Sequence, residues 1–120
     1  MTEQLERLSP PAALAPDHLR TWTELNEQRA HRAQQLTELA TAGVEAAASA
    51  DEARRELTRA LRTGARQAIG EIDAALLRLQ AGTFGTCERC ASTIAPERLD
   101  ILPMSRFCTP CQRATSAPKR

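Results

Sequence analysis

Two Cys-x-x-Cys pairs lie within residues 82–111, GTFGTCERCASTIAPERLDILPMSRFCTPC. The first pair is Cys87 and Cys90, the second pair is Cys108 and Cys111, and seventeen residues separate the two pairs. Each pair aims two sulfur atoms at one point, and two such pairs supply the four thiolates of a tetrahedral Zn²⁺ site. Because the chain has four cysteines in all, the pattern predicts one structural zinc ion bound by all of them.

Two other uses of the four cysteines fit the sequence less well. Two disulfides need an oxidising compartment, which no other feature of the chain indicates. A redox pair of the thioredoxin kind lies at a strand-to-helix junction of a larger α/β pattern, and the sequence lacks that pattern. Since four thiolates also fill the zinc coordination shell and leave no position for a reactive water, we expect no enzymatic activity.

The residues around the cysteines resemble the zinc finger of the TraR/DksA family of bacterial regulators, which bind RNA polymerase. The likeness runs without a gap and includes Gly82 to Gly85, Ile94, Arg98-Leu99 and Pro103. A bare four-cysteine ribbon would not share these residues. One position departs from the family, which usually has Gly after the second cysteine, whereas this chain has Ala91.

The composition of the remaining chain is typical of paired helices. The 120 residues include one Trp, two Phe and no Tyr, so a thick globular core is not expected. The net charge of +1 does not favour nucleic acid or membrane binding. Ala, Leu, Glu, Arg and Gln dominate residues 17–81, as in a coiled coil. Without a signal peptide or an apolar run of bilayer length, we expect a cytoplasmic protein.

Capping signals divide this region into two helices. The first helix is expected to begin with Asp17 as its N-cap and to end near Ala42, because Gly43 is a natural stop. Ser49 is expected to cap the second helix, which then runs to about Ala81.

Each predicted helix carries one stripe that faces a partner. In the first helix two arginines interrupt the apolar residues, and the stripe is Trp22, Leu25, Arg29, Arg32, Leu36 and Leu39. In the second helix the spacing alternates between four and three, and the stripe is Leu61, Ala65, Ala68, Ile72, Ala75 and Leu79, widened by Leu57, Ile69 and Leu76. A short connection favours an antiparallel hairpin within one chain, and hence a monomer. The predicted fold class is mostly α, with a long antiparallel helical hairpin (coiled coil) followed by a small four-cysteine zinc finger.

Four segments are therefore predicted along the chain. Prolines make residues 1–16 a flexible N-terminal arm, and residues 17–81 form the coiled-coil hairpin. The zinc finger spans residues 82–113, and residues 114–120 are a disordered tail. At the base of the hairpin we expect Trp22 and Leu79 to meet four apolar residues of the finger, namely Phe84, Leu99, Leu102 and Phe107. The two histidines, His18 and His31, are expected to be solvated.

The family resemblance implies a transcription regulator that binds bacterial RNA polymerase directly. In that family the hairpin enters the secondary channel and places acidic residues at its tip near the catalytic Mg²⁺. The best-known members carry an Asp-x-x-Asp-x-Ala tip, but counting back from Cys87 places Val44, Ala47 and Ser49 at these positions. The acidic residues near the turn of this chain are our candidates for partner binding: Glu45, Asp51 and Glu52.

Other functions remain open at this point. A zinc-finger and coiled-coil adaptor could bind proteins without any polymerase activity. Direct nucleic-acid binding is weaker, because aromatic residues for base stacking are nearly absent, and we expect no sequence-specific DNA binding. The family's alarmone site uses basic residues, and the same count places Glu71, Leu102 and Gln112 there. We therefore expect no response to guanosine tetraphosphate through that site.

Overall fold

The computed structural model describes residues 10–11, 14–48 and 50–116. Within these ranges the chain forms four α-helices, namely α1 (Pro16–Ala47), α2 (Glu52–Ala81), α3 (Pro96–Ile101) and α4 (Thr109–Ser116). An isolated antiparallel bridge also joins Thr86 and Thr93. In the described ranges we find no helix with the length and apolarity needed to cross a membrane.

The chain is divided into two compact units. The hairpin unit consists of residues 23–73. The finger unit combines the described parts of residues 1–22 and 74–120. The predicted fold class, a mostly helical chain with a long hairpin followed by a four-cysteine finger, is confirmed.

Helix α1 begins and ends at residues that differ from the predicted ones. The backbone N–H of Leu19 donates to the carbonyl of Ala15 at 2.8 Å, so Ala15 caps the helix and Pro16 is its first residue. The prediction that Asp17 is the N-cap was therefore wrong. The predicted stop at Gly43 was also wrong, because α1 continues to Ala47. A glycine inside a helix costs only about 1 kcal/mol, and the alanine-rich residues that follow favour helix.

Helix α2 is capped by an acidic residue. The Oδ1 atom of Asp51 accepts a hydrogen bond from the backbone N–H of Arg54 at 3.1 Å, which is the usual geometry of an N-cap. Ser49, the predicted cap, lies outside the described residues. The helix ends at Ala81 as predicted. Gly82 follows with φ of 77°, and the N–H of Thr83 donates to the carbonyl of Arg78 at 3.0 Å, which closes a Schellman turn.

The hairpin unit pairs α1 with α2 in antiparallel order. Arg29 near the start of the unit forms two hydrogen bonds with Asp73 at its end, of 2.6 and 3.3 Å. Nearer the turn, the Arg62 guanidinium lies against Gly43. Arg29, one of the two arginines in the predicted α1 stripe, is thus accommodated by a carboxylate on α2. The Asp73 hydrogen bond outweighs partial burial and raises the pKa of Arg29 above its usual value.

The predicted α2 stripe is buried only in its C-terminal two thirds. Ala65 and Ile72 are buried in the hairpin unit, and Ala75, Leu76 and Leu79 are buried in the finger unit. Leu57 and Leu61, however, are 61% and 44% exposed, so their predicted places in the buried seam were wrong. At this level α1 and α2 line an open cleft with three arginine side chains of α2.

The finger unit has a core of apolar residues from α1, α2 and the finger. Trp22, Leu79 and Ile94 are each at most 2% exposed. Phe84, Leu99 and Phe107 of the finger are half-buried, whereas Leu102 is 48% exposed, so its predicted place in this core was wrong. His18 was predicted to be solvated, but it is half-buried, and its ring packs edge-on against Phe84 with centroids 5.2 Å apart.

Candidate metal centre

The four cysteines converge within the finger unit. One sulfur atom from each of Cys87, Cys90, Cys108 and Cys111 lies within 4.8 Å of the other three. Zn–S bonds of about 2.3 Å in a tetrahedron place the sulfurs about 3.8 Å apart, and the sulfurs of Cys90 and Cys108 are separated by 3.7 Å. All four cysteines are free thiols, and a disulfide would need a separation of about 2.05 Å. The donor set therefore fits one tetrahedral zinc ion and not two disulfides.

The first Cys-x-x-Cys turn is shaped by backbone hydrogen bonds. The N–H of Cys87 donates to the carbonyl of Ser92 at 2.8 Å, and the N–H of Ala91 donates to the carbonyl of Cys87 at 2.9 Å. Ala91 adopts a φ of 64°, in the left-handed region where glycine is favoured. The N–H of Ile94 donates to the carbonyl of Gly85 at 2.8 Å, which anchors the turn on a fully buried side chain.

The second turn leads directly into α4. Cys108 precedes the helix, and its carbonyl accepts the N–H of Gln112 at 2.8 Å. Cys111 lies in the first turn of α4, so the helix orients its sulfur. The N–H of Glu88 donates to the carbonyl of Arg106 at 2.9 Å, and their side chains form an ion pair of 2.6 Å. These contacts hold the two Cys-x-x-Cys turns together.

The thiols have different affinities for protons. Burial opposes ionisation of Cys87, but backbone N–H groups of Cys108, Cys90 and Arg89 outweigh it and lower the pKa of its thiol to about 6. A hydrogen bond with the Cys108 thiol, aided by burial, raises the pKa of Cys111 to about 12. Several negative sulfurs at this distance require a compensating cation. Zinc binding displaces the remaining protons, because thiolates are the metal-binding form.

A buried arginine of α2 is attached to the finger. Arg78 is 9% exposed, and its Nη2 donates to the carbonyl of Met104 at 3.3 Å. Its Nη1 lies 3.9 Å from Oε1 of Glu88, the same carboxylate that pairs with Arg106. Burial lowers the pKa of Arg78, with Glu88 opposing the shift, yet a guanidinium stays charged at neutral pH. Arg78 is not among the site residues predicted from the sequence, although its position beside the α2 stripe was a signal for partial burial.

The predicted tip residues do not join the metal centre, because all three belong to the hairpin unit. Glu45 lies in the last turn of α1, with Oε2 3.9 Å from Nη2 of Arg54. Asp51 caps α2, and Glu52 is the first residue of α2 and pairs with Arg55. All three acidic residues are exposed.

Comparison with known proteins agrees with this geometry. Residues 82–116 match the family model described as the prokaryotic dksA/traR C4-type zinc finger. The finger is similar to that of the TraR/DksA family. A protein of Aquifex aeolicus (strain VF5), described as uncharacterized, is 46% identical over 43 residues. That match covers 36% of this chain and only 30% of the Aquifex protein.

The fold is similar to that of a solved transcription factor. Transcription factor DksA2 from Pseudomonas aeruginosa superposes with a TM-score of 0.71, covering 94% of this chain and 95% of DksA2. The two sequences are 22% identical, so this likeness concerns the fold. Together the finger match and the fold confirm the predicted resemblance to the TraR/DksA family. The predicted cofactor, one structural zinc ion, is confirmed by the C4 finger type and by the clustered sulfurs.

Proposed function

We propose that this chain is a transcription regulator of the DksA type that binds bacterial RNA polymerase directly in the cytoplasm. The observation that supports the proposal is the combination of a TraR/DksA finger with a fold like that of the transcription factor DksA2. In the family, the hairpin enters the secondary channel of the polymerase while the finger contacts the outer rim. The proposal assigns the same two roles to the hairpin unit and the finger unit.

Within this proposal the zinc ion has a structural role, and Cys87, Cys90, Cys108 and Cys111 are its ligands. Four thiolates complete a tetrahedral shell and leave no open position for water, so the role is not enzymatic. The ion joins the two Cys-x-x-Cys turns, and α3 lies between them in the sequence. This arrangement gives a partner a finger surface of defined shape.

The three acidic residues near the turn differ in how free they are to act on a partner. The Glu45–Arg54 ion pair is long, at 3.9 Å, and both side chains are more than half exposed. Such pairs contribute about 0–1 kcal/mol, so the Glu45 carboxylate can turn toward a cation at little cost. Glu52 is 61% exposed and pairs with the neighbouring Arg55. Asp51, in contrast, is engaged as the cap of α2. We therefore assign the effect on the polymerase mainly to Glu45 and Glu52.

The first experiment tests binding. Purified protein is mixed with bacterial core RNA polymerase and separated by size exclusion, with and without a protein known to occupy the secondary channel. We expect co-elution that the competitor abolishes. Absence of co-elution would contradict the proposal and favour an adaptor role. Co-elution that resists the competitor would contradict the placement of the hairpin in the channel.

The second experiment tests the tip. The variant Glu45→Gln, Asp51→Asn, Glu52→Gln removes three negative charges but retains a good N-cap, because Asn caps a helix as well as Asp does. We expect it to bind polymerase nearly as well as the parent but to lose the effect on transcription in vitro. The matched control removes three exposed acidic residues elsewhere in the hairpin unit: Glu24→Gln, Glu27→Gln and Glu56→Gln. If the tip variant regulates like the parent, the tip is not the effector.

A further inference from the structure

An arginine-lined cleft lies in the hairpin unit, between α1 and α2. Its volume is about 170 Å³. Helix α1 contributes Gly43 and Ala47, and helix α2 contributes one threonine and three arginines: Arg55, Thr58, Arg59 and Arg62. The hydroxyl of Thr58 donates to the carbonyl of Arg54 at 3.0 Å, so the guanidinium groups are the side-chain donors that the cleft offers to a ligand.

The three arginines concentrate positive charge on one face of α2. Arg55, Arg59 and Arg62 are separated by four and three residues, so they are neighbours on the helix surface, where like charges destabilise the helix. Arg55 is paired with Glu52. In residues 14–48 and 50–116, neither Arg59 nor Arg62 has an ion pair with a carboxylate. Two cationic charges in the cleft are therefore uncompensated by the described part of the chain.

The Arg62 side chain lies beside the backbone of α1. A Cβ atom at Gly43 would lie 3.0 Å from Nη1 of Arg62, so the absence of a side chain there makes room for the guanidinium. The Nε atom of Arg62 is buried and has no hydrogen-bond partner among the described residues. A native chain rarely retains a buried donor without a partner, so the position of this group calls for a reason. A bound anion that accepts from the Nη groups of Arg62 would compensate the charge of this guanidinium.

We propose that this cleft binds a phosphate group. Guanidinium groups match the oxygens of phosphate in a two-pronged geometry. A phosphate dianion carries two negative charges and can compensate both Arg59 and Arg62, whereas a single carboxylate carries one. The bound anion would also relieve the repulsion between the arginines. This cleft is distinct from the family's alarmone site, whose positions are Glu71, Leu102 and Gln112 in this chain. The proposal does not depend on polymerase binding.

The test is calorimetric titration of the zinc-loaded full chain in a buffer free of phosphate and low in salt. The probes are inorganic phosphate, inorganic pyrophosphate and a nucleoside triphosphate, which separate a free anion from a nucleotide as the source of the group. We expect saturable 1:1 binding of at least one probe. Arg59→Gln and Arg62→Gln should each weaken it about ten-fold or more, because a charge-assisted hydrogen bond is lost.

The matched control is Arg66→Gln, which removes the same charge from an exposed position of α2 that does not line the cleft. Its affinity for the probe should stay within about two-fold of the parent's, because Arg66 acts on the cleft only through long-range electrostatics. Gly43→Ala should weaken binding while leaving helicity by circular dichroism intact, because its methyl group displaces the Arg62 guanidinium. The proposal is overturned if no probe binds saturably, if Arg66→Gln weakens binding as much as Arg62→Gln, or if Arg59→Gln and Arg62→Gln both bind like the parent.

Discussion

At the scale of single residues, Ala91 shows how the finger tolerates a departure from its family. The family usually has Gly after the second cysteine, and the φ of 64° at Ala91 explains why. A side chain in this conformation approaches the following carbonyl oxygen and costs about 1–2 kcal/mol. The N–H of Ala91 nevertheless donates to the carbonyl of Cys87, so the turn is formed despite the strain. The sequence identifies Ala91 as the departing position, and the backbone angle, which only the folded finger shows, supplies the cost.

Ala91→Gly should therefore stabilise the zinc-loaded finger. The strain energy relieved at this φ exceeds the extra conformational entropy that glycine loses on folding. We therefore expect a net stabilisation of about 0.5–1 kcal/mol. Chelator competition, which measures how tightly the folded finger retains zinc, provides the readout. Ala114→Gly is the control, because Ala114 is exposed within helix α4, where glycine is less favourable than alanine and should weaken the finger. Equal effects of the two substitutions would show that Ala91 is not strained.

At the scale of elements, the sequence predicts the features that depend on local chemistry. It does not predict helix ends and burial that depend on contacts between helices. The end of α2 follows from Gly82, and the cysteine cluster follows from spacing. The end of α1 does not follow from Gly43, because only the folded hairpin shows that the glycine makes room for Arg62. The exposure of Leu61 was likewise not predicted, because its position in the stripe does not determine which residues of α1 cover it.

The Arg29–Asp73 pair is expected to fix the alignment of α1 against α2. The two side chains are 23% and 31% exposed and form two hydrogen bonds. Arg29→Met or Asp73→Leu alone leaves a partly buried charge unpaired and should lower the free energy of unfolding by about 1–3 kcal/mol. The double variant, which replaces both charges with apolar groups, should lie within about 1 kcal/mol of the parent.

The free energies of unfolding of the parent, both single variants and the double variant are measured in urea by circular dichroism, which gives the coupling energy of the pair. The matched control is the Asp17–Arg20 pair, whose side chains are 87% and 71% exposed, and it should show little coupling. If the two single losses at Arg29 and Asp73 simply add in the double variant, the pair does not align the helices.

At the scale of the whole molecule, the two units depend on different sources of stability. The hairpin unit is formed by α1 and α2 with few fully buried apolar residues, and the Arg29–Asp73 pair contributes to it. The finger unit contains the clustered thiols, and metal affinity in such sites is largely folding free energy, of about 10–16 kcal/mol in isolated zinc fingers. The sequence indicates the two sources of stability, because helix periodicity and the cysteines occupy different parts of the chain, but it does not indicate that residues 17–22 and 74–81 belong to the finger unit.

Cys90→Ser in the full chain should unfold the finger unit but leave the hairpin unit folded. Loss of one zinc ligand should abolish zinc retention and expose the backbone N–H groups whose bonds shape the Cys-x-x-Cys turns, including those of Cys87, Ala91 and Gln112. Helical residues 52–73 should keep their protection, because no cysteine belongs to the hairpin unit. Hydrogen exchange with peptide resolution, combined with a measurement of bound zinc, distinguishes these regions. Ser92→Ala is the control, since it removes the hydroxyl beside Cys90 without removing a sulfur. Protection of the finger that persists after zinc is lost would contradict a structural role for the ion.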